Sequence, residues 1–204
     1  NPRISFDGKY WYLSVVVEQA QQPIELTDEI IGVDVGIKDL AVCSNGMISK
    51  NINKTAKVRK LEKRLRRLQR SVSRKYEKNK EGNRFVKTCN IIKQEKQIRL
   101  LHRKLTNIRT NHLHQATSKI VKTKPSTIVM EHLNVKGMLR NKHLSKAIVQ
   151  QKLYEFKRQI QYKCEKYGVQ FIEADKWFPS SKMCSGCGCV KKQLSLSERT
   201  YKCE

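Results

Sequence analysis

Acidic residues are scarce in this chain. Its 204 residues carry 18 Asp and Glu against 43 Lys and Arg, a formal net charge of +25. Self-repulsion of that size does nothing for a free domain, so a polyanionic partner is implied. Phosphate backbones fit best, because each neutralised phosphate releases a condensed counterion. Long apolar runs are missing too. Nothing approaches the roughly 18 consecutive apolar residues of a membrane span, and no signal peptide is evident. Aromatics are only 7% and hydrophobic residues 38%, which allows a core but not a large one. Seven cysteines, an odd number in a Lys-rich chain, argue against a disulfide framework and for a reducing, cytoplasmic setting. The chain starts at Asn1 and stops at Glu204, directly after a cysteine, and both ends read as cut.

What is present has a clear order. Residues 3–6 and 9–18 flank Asp7-Gly8 and read as a β-hairpin. After the Gln21-Gln22-Pro23 linker come three short strands, Ile30 to Val35, Leu40 to Ser44 and Met47 to Ile52. Gly36 and the Asn45-Gly46 pair punctuate them, which suits an antiparallel meander. The period then changes. Val58, Leu61, Leu65, Leu68 and Val72 repeat with 3-4-3-4 spacing, the stripe of a helix packed on a partner helix. Ile91, Ile98, Leu101, Leu105 and Ile108 form a second stripe, continuing towards Ile120. The polar 79–83 segment separates the two. Thirteen Lys and Arg but only two Glu lie between Lys54 and Lys80. Salt-bridge lacing cannot absorb that surplus, so Lys60, Lys63, Arg64, Arg66, Arg67, Arg70 and Arg74 are read as a nucleic-acid-binding face. A strand at Thr127 to Glu131 follows, then a helical pattern from Leu144 through Ile148, Leu153, Phe156 and Ile160 to Cys164. The helix ends near Gly168, and a last strand spans Val169 to Ala174.

Two acids stand out, Asp34 within Ile30-Ile31-Gly32-Val33-Asp34-Val35-Gly36 and Glu131 at the end of Thr127-Ile128-Val129-Met130-Glu131. A lone carboxylate buried in an apolar strand costs several kcal/mol. Two of them therefore suggest a convergent site for a hard divalent cation such as Mg²⁺ or Mn²⁺. Strand-end acids paired with surrounding Lys and Arg would give the same pattern. Cys184 and Cys187, followed by Cys203, have the spacing of three ligands of a four-cysteine zinc ribbon, with Cys189 a bystander. Cys43, Cys89 and Cys164 are expected to pack as small hydrophobes. His112 and His114 are expected on the surface. Tyr10, Trp11, Tyr12 and Trp177 are candidates to stack bases, but on strand and junction positions core packing is the commoner fate and is the expectation here. Asp175 reads as a strand-end residue.

The segment Gly32-Val33-Asp34-Val35-Gly36-Ile37-Lys38-Asp39-Leu40-Ala41 resembles the first RuvC motif of the transposon-encoded TnpB/OrfB family. Ile128-Val129-Met130-Glu131-His132-Leu133 resembles the second motif of that family. Trp177-Phe178-Pro179-Ser180-Ser181-Lys182-Met183-Cys184-Ser185-Gly186-Cys187-Gly188 is similar to the entry into its zinc ribbon. The resemblance runs from about Ile30 onward and extends to type V CRISPR nucleases. It implies an α/β, RNase H-like (RuvC) core with a long helical-hairpin insertion, a preceding β-hairpin and a partial zinc ribbon. The implied divisions are 1–28, the tail of an upstream nucleic-acid-binding domain; 29–181, the nuclease domain with its insertion at about 54–122; and 182–204, a truncated ribbon. The implied activity is a metal-dependent, RNA-guided DNA endonuclease of an insertion sequence. Its partners would be target DNA and a guide RNA from the transposon end, in a prokaryotic, nucleoid-associated setting. Asp34 and Glu131 would be two of three catalytic carboxylates holding Mg²⁺. Cys184, Cys187 and Cys203 would hold Zn²⁺. The third acid of the family follows the second cysteine pair, which this chain does not reach. The alternative is a nuclease-inactive, nucleic-acid-binding repressor.

Overall fold

The computed structural model describes residues 2–18, 24–175, 178, 182–184 and 186–191. The expectations placed on Trp177 and Cys203 fall outside them. The opening hairpin forms from β1 (Arg3–Phe6) and β2 (Trp11–Ser14). Its turn is held by the Asp7 carboxylate, which accepts the N–H groups of Lys9 and Tyr10 at 2.9 Å. The strand ends at Ser14, well short of residue 18. Tyr10, Trp11 and Tyr12 are exposed rather than in the core, Trp11 at 72%.

The meander is present as β3 (Thr27–Val35), β4 (Asp39–Cys43) and β5 (Ile48–Lys50). A short 3-10 turn, Ile52–Lys54, leads into α1 (Ala56–Lys78). Thr55 caps that helix, its hydroxyl accepting from Val58 N–H. The polar 79–83 segment becomes a small hairpin, β6 (Lys80–Glu81) and β7 (Arg84–Phe85), and the chain returns in α2 (Cys89–Val121). At 33 residues and a rise of ~1.5 Å each, α2 is ~50 Å long. Its first half packs on α1 through Val58, Leu65, Leu101 and Leu105, as the two heptad stripes require. Cys89 opens α2 and is exposed, not packed. A helix's first turn has little protein beyond it to cover a side chain.

The sheet is completed by β8 (Pro125–Glu131) and, after α3 (Val135–Met138), α4 (Ser145–Gln151) and α5 (Leu153–Tyr167), by β9 (Gln170–Ala174). Strand order is β5-β4-β3-β8-β9. The sheet is mixed: β3, β4 and β5 are antiparallel, whereas β3, β8 and β9 run parallel. The single helix expected over 144–164 is broken. Lys152 takes a left-handed conformation (φ 53°) between α4 and α5, and its Nζ donates to Thr110 of α2 at 3.0 Å. The second half of α2, with α4 and α5, covers one sheet face. Ile120, Ile148, Phe156 and Ile160 meet Ile31, Val33, Ile128 and Met130 in the main core.

One core position is polar. Lys163 of α5 is buried, and its three donors reach His114 O (2.9 Å), Thr117 Oγ1 (2.6 Å) and Ser118 Oγ (2.8 Å). Burial lowers its pKa, aided by the charge of Lys122. Between that lowered value and the ordinary lysine range, the unfolded chain binds more protons than the native one. Stability therefore rises with pH across that interval. Denaturant unfolding at a series of alkaline pH values should show wild type gaining on Lys163→Met. A difference that does not change with pH would mean that Lys163 titrates normally.

Candidate functional site

Register brings the two singled-out acids together. Ile31 pairs with Ile128 and Val33 with Met130 on the parallel strands β3 and β8. One residue further along each strand stand Asp34 and Glu131. Side chains alternate along a strand, and Val33 and Val35 face the helix-covered core. Asp34 therefore points to the opposite face, as does Glu131 after Met130. Both are exposed, which corrects the expectation of buried carboxylates: they sit in apolar strands but on the uncovered side. Partial desolvation still raises the pKa of Asp34, offset in part by the Val35 backbone hydrogen bond. On β9, Ala174 is in register with Glu131, and Asp175 follows directly. The acids thus lie at the carboxyl ends of parallel strands, where open α/β sheets commonly carry their sites. Among the described residues, no group of three or more His, Cys, Asp or Glu side chains is placed to hold a metal ion.

Periodicity gave no hint of the polar groups that fix this edge. The loop after Asp34 is tied by Gln151 Nε2 to Gly36 O (2.9 Å), Asn51 Nδ2 to Ile37 O (2.7 Å) and Lys54 Nζ to Lys38 O (2.8 Å). Asn53 continues the chain of contacts to Gln151 and to Arg109, which pairs with Glu62 of α1 at 2.6 Å. The base of the α1–α2 pair is therefore bonded to the loop that follows Asp34. On the other side, Glu173 accepts from Lys157 at 2.5 Å, and this partner holds its carboxyl below the usual range. Its second oxygen lies 2.5 Å from His132 Nδ1 but outside hydrogen-bond geometry.

Lys60, Lys63, Arg64, Arg66, Arg67, Arg70 and Arg74 are all exposed on α1. None of them makes an ion pair among the described residues; the α1–α2 pair Glu62–Arg109 uses other groups. Lys63, Arg66, Arg67 and Arg70 line a cavity of about 440 Å³. Arg66, Arg70 and Arg74, with Gln69 and Ser73, line another of about 630 Å³. Unneutralised guanidinium groups one helical turn apart can grip successive phosphates.

In the cysteine segment, Cys184 N–H donates to Cys189 O (2.8 Å), Gly188 N–H donates to Cys184 O (2.9 Å), and Met183 bridges Val190. This is a tight turn bearing Cys184 and Cys187. The neighbouring Cys187 thiol raises the pKa of Cys189. His112 is half-buried, its Nε2 2.8 Å from Lys50 O, and His114 is exposed beside Tyr162.

The family model OrfB_IS605, described as "Probable transposase", matches residues 14–142. The chain belongs to the OrfB_IS605 family. A second model, "Cas12f1-like, TNB domain", matches residues 154–204 of this OrfB_IS605 chain. Among relatives, a "Putative RNA-guided DNA endonuclease" of Streptomyces pristinaespiralis is 31% identical over 95% of the chain and 45% of its own length. "Putative RNA-guided DNA endonuclease InsQ" of Escherichia coli is 29% identical over 100% of the chain and 51% of its own length. The OrfB_IS605 chain thus spans about half the length of these curated relatives. Two solved structures share its fold, a Cas12f1-sgRNA-target DNA complex (TM-score 0.60, 20% identity) and a CRISPR-Cas12f ternary complex (TM-score 0.55, 21% identity). Each covers 95% of this chain, which spans 39% and 38% of them.

Proposed function

We propose that this chain is the RNase H-like core of an RNA-guided, metal-dependent DNA endonuclease. The observation that carries the reading is the placement of Asp34 and Glu131 side by side at the carboxyl ends of β3 and β8, on the open face. The relatives' names support it, and so does the unpaired basic face of α1.

The donor chemistry fits Mg²⁺ or Mn²⁺, since exposed carboxylates are the hard oxygen ligands these ions take. Asp34 and Glu131 would hold the metal, which when bound activates water and stabilises the leaving oxygen of a phosphodiester. The chain's own part is positioning. The Gly36–Lys38 loop, pinned by Gln151, Asn51 and Lys54, fixes the approach to Asp34. The arginines of α1 neutralise the backbones of guide RNA and target DNA. Cys184 and Cys187, with Cys203, would hold Zn²⁺ as thiolates.

A second reading, a repressor that binds without cutting, keeps the basic face and drops the metal. On its side is the lack, among the described residues, of a cluster of three potential ligands. One assay separates the two. The full-length protein, loaded with transposon-end RNA, is given a supercoiled plasmid bearing the matching target. Linear product that needs both RNA and Mg²⁺ is expected, with none in chelator. Tight, RNA-dependent binding with no product in Mg²⁺ or Mn²⁺ would leave the repressor reading.

A further inference from the structure

The seam between α1 and α2 holds a groove that the phosphate-binding face does not explain. It is an open groove of about 590 Å³, within the size range of ligand sites. Val72 and Ile98 form its floor and Tyr76 a wall. Gln69, Ser73, Glu95 and Arg99 complete its rim. Gln69 and Ser73 also line the cavity of Arg66, Arg70 and Arg74, so the two spaces adjoin across these side chains.

We propose that this groove receives an unpaired nucleobase from a strand whose phosphates lie on the α1 arginines. The inference rests on the reading of α1 as a phosphate face and adds what the strand must be: single-stranded at that point. Paired bases in a duplex turn inward and cannot enter.

Chemistry and geometry agree. The ring of Tyr76 is fixed before anything binds, because its hydroxyl donates to Glu95 Oε1 at 2.7 Å and Phe85 meets it edge-on at 6.0 Å. A preset aromatic wall avoids the entropic cost of ordering on binding. The rim offers an amide, a hydroxyl and a guanidinium, matching the mixed donors and acceptors of a base edge. Its single acid, Glu95, is already engaged by Tyr76 and Lys87. Arg99 is exposed and presents a flat cation beside the ring. Arginines on both sides favour a polyanion over a peptide or a neutral ligand. An aromatic platform bordered by a basic track is how single strands are held without sequence preference.

The test compares fluorescently labelled oligonucleotides of one length on the full chain: single-stranded RNA, single-stranded DNA, a fully abasic phosphodiester strand and a duplex. The base-bearing strands should bind about tenfold tighter than the abasic strand. RNA and DNA arms show which strand is preferred. Tyr76→Leu should erase the preference and leave the salt dependence intact. Arg99→Ala, on an exposed position that does not threaten folding, should reduce it. Tyr76→Phe should keep it, because the ring remains. Equal binding of abasic and base-bearing strands would overturn the groove while sparing the phosphate face, and so would tighter binding of duplex. If no strand binds with a steep salt dependence, the phosphate face fails and the groove with it.

Discussion

Alanine at Asp34 or at Glu131 in the full-length protein is expected to lower cleavage by about a thousandfold or more, as befits loss of several kcal/mol of metal-borne transition-state stabilisation. Nucleic-acid binding should be nearly unchanged. The two acids face outward from β3 and β8, whereas the exposed cations are on α1, so ligation and phosphate contact use different surfaces. Folding should survive as well, because neither side chain contributes to the core. Asp34→Asn and Glu131→Gln keep the volume and remove only the charge, and they should behave like the alanine variants. The measurement is single-turnover cleavage alongside equilibrium binding. Cleavage above about a tenth of wild type in either alanine variant would remove that residue from the site.

The other large effect belongs to α1. Neutralising Lys63, Arg66, Arg67 and Arg70 together should make the slope of log affinity against log salt shallower by about 3 to 4, since each phosphate contact contributes about 0.9 on duplex DNA. Near ~0.15 M salt the same loss amounts to about a thousandfold in affinity. Alanine is the best helix former and the four positions are exposed, so the helix itself should persist. Far-ultraviolet circular dichroism checks that point. An unchanged salt slope would reduce α1 to architecture.

Features repeated along the chain were legible in the sequence. The heptad stripes of α1 and α2 needed only spacing, and both helices formed where the stripes lie. The helix over 144–164 was read too simply. A five-residue step from Ile148 to Leu153 turns the apolar face, and the structure breaks the helix there at Lys152. Tyr10, Trp11 and Tyr12 were expected in the core because aromatics on strands usually pack. Their hairpin instead touches the body through the Asp7–Arg103 ion pair and Arg103 over the Tyr10 ring, which leaves most of its surface open. Lys163, Asn51, Asn53 and Gln151 gave no signal, because a buried polar network has no period and its partners come from distant segments.

By itself the sequence determined the charge surplus, the two kinds of apolar period, the acids at the ends of apolar strands and the family. These are local or compositional properties, fixed once neighbouring residues are known. Tertiary structure decided that Asp34 and Glu131 stand on neighbouring parallel strands, that they face out rather than in, and that the base of the α1–α2 pair is bonded to the loop after Asp34. The reason is physical. Parallel strands such as β3 and β8 cannot be joined by a tight turn, and here α1 and α2 lie between them. Their register is set by how the two strands share one core against α2 and α5.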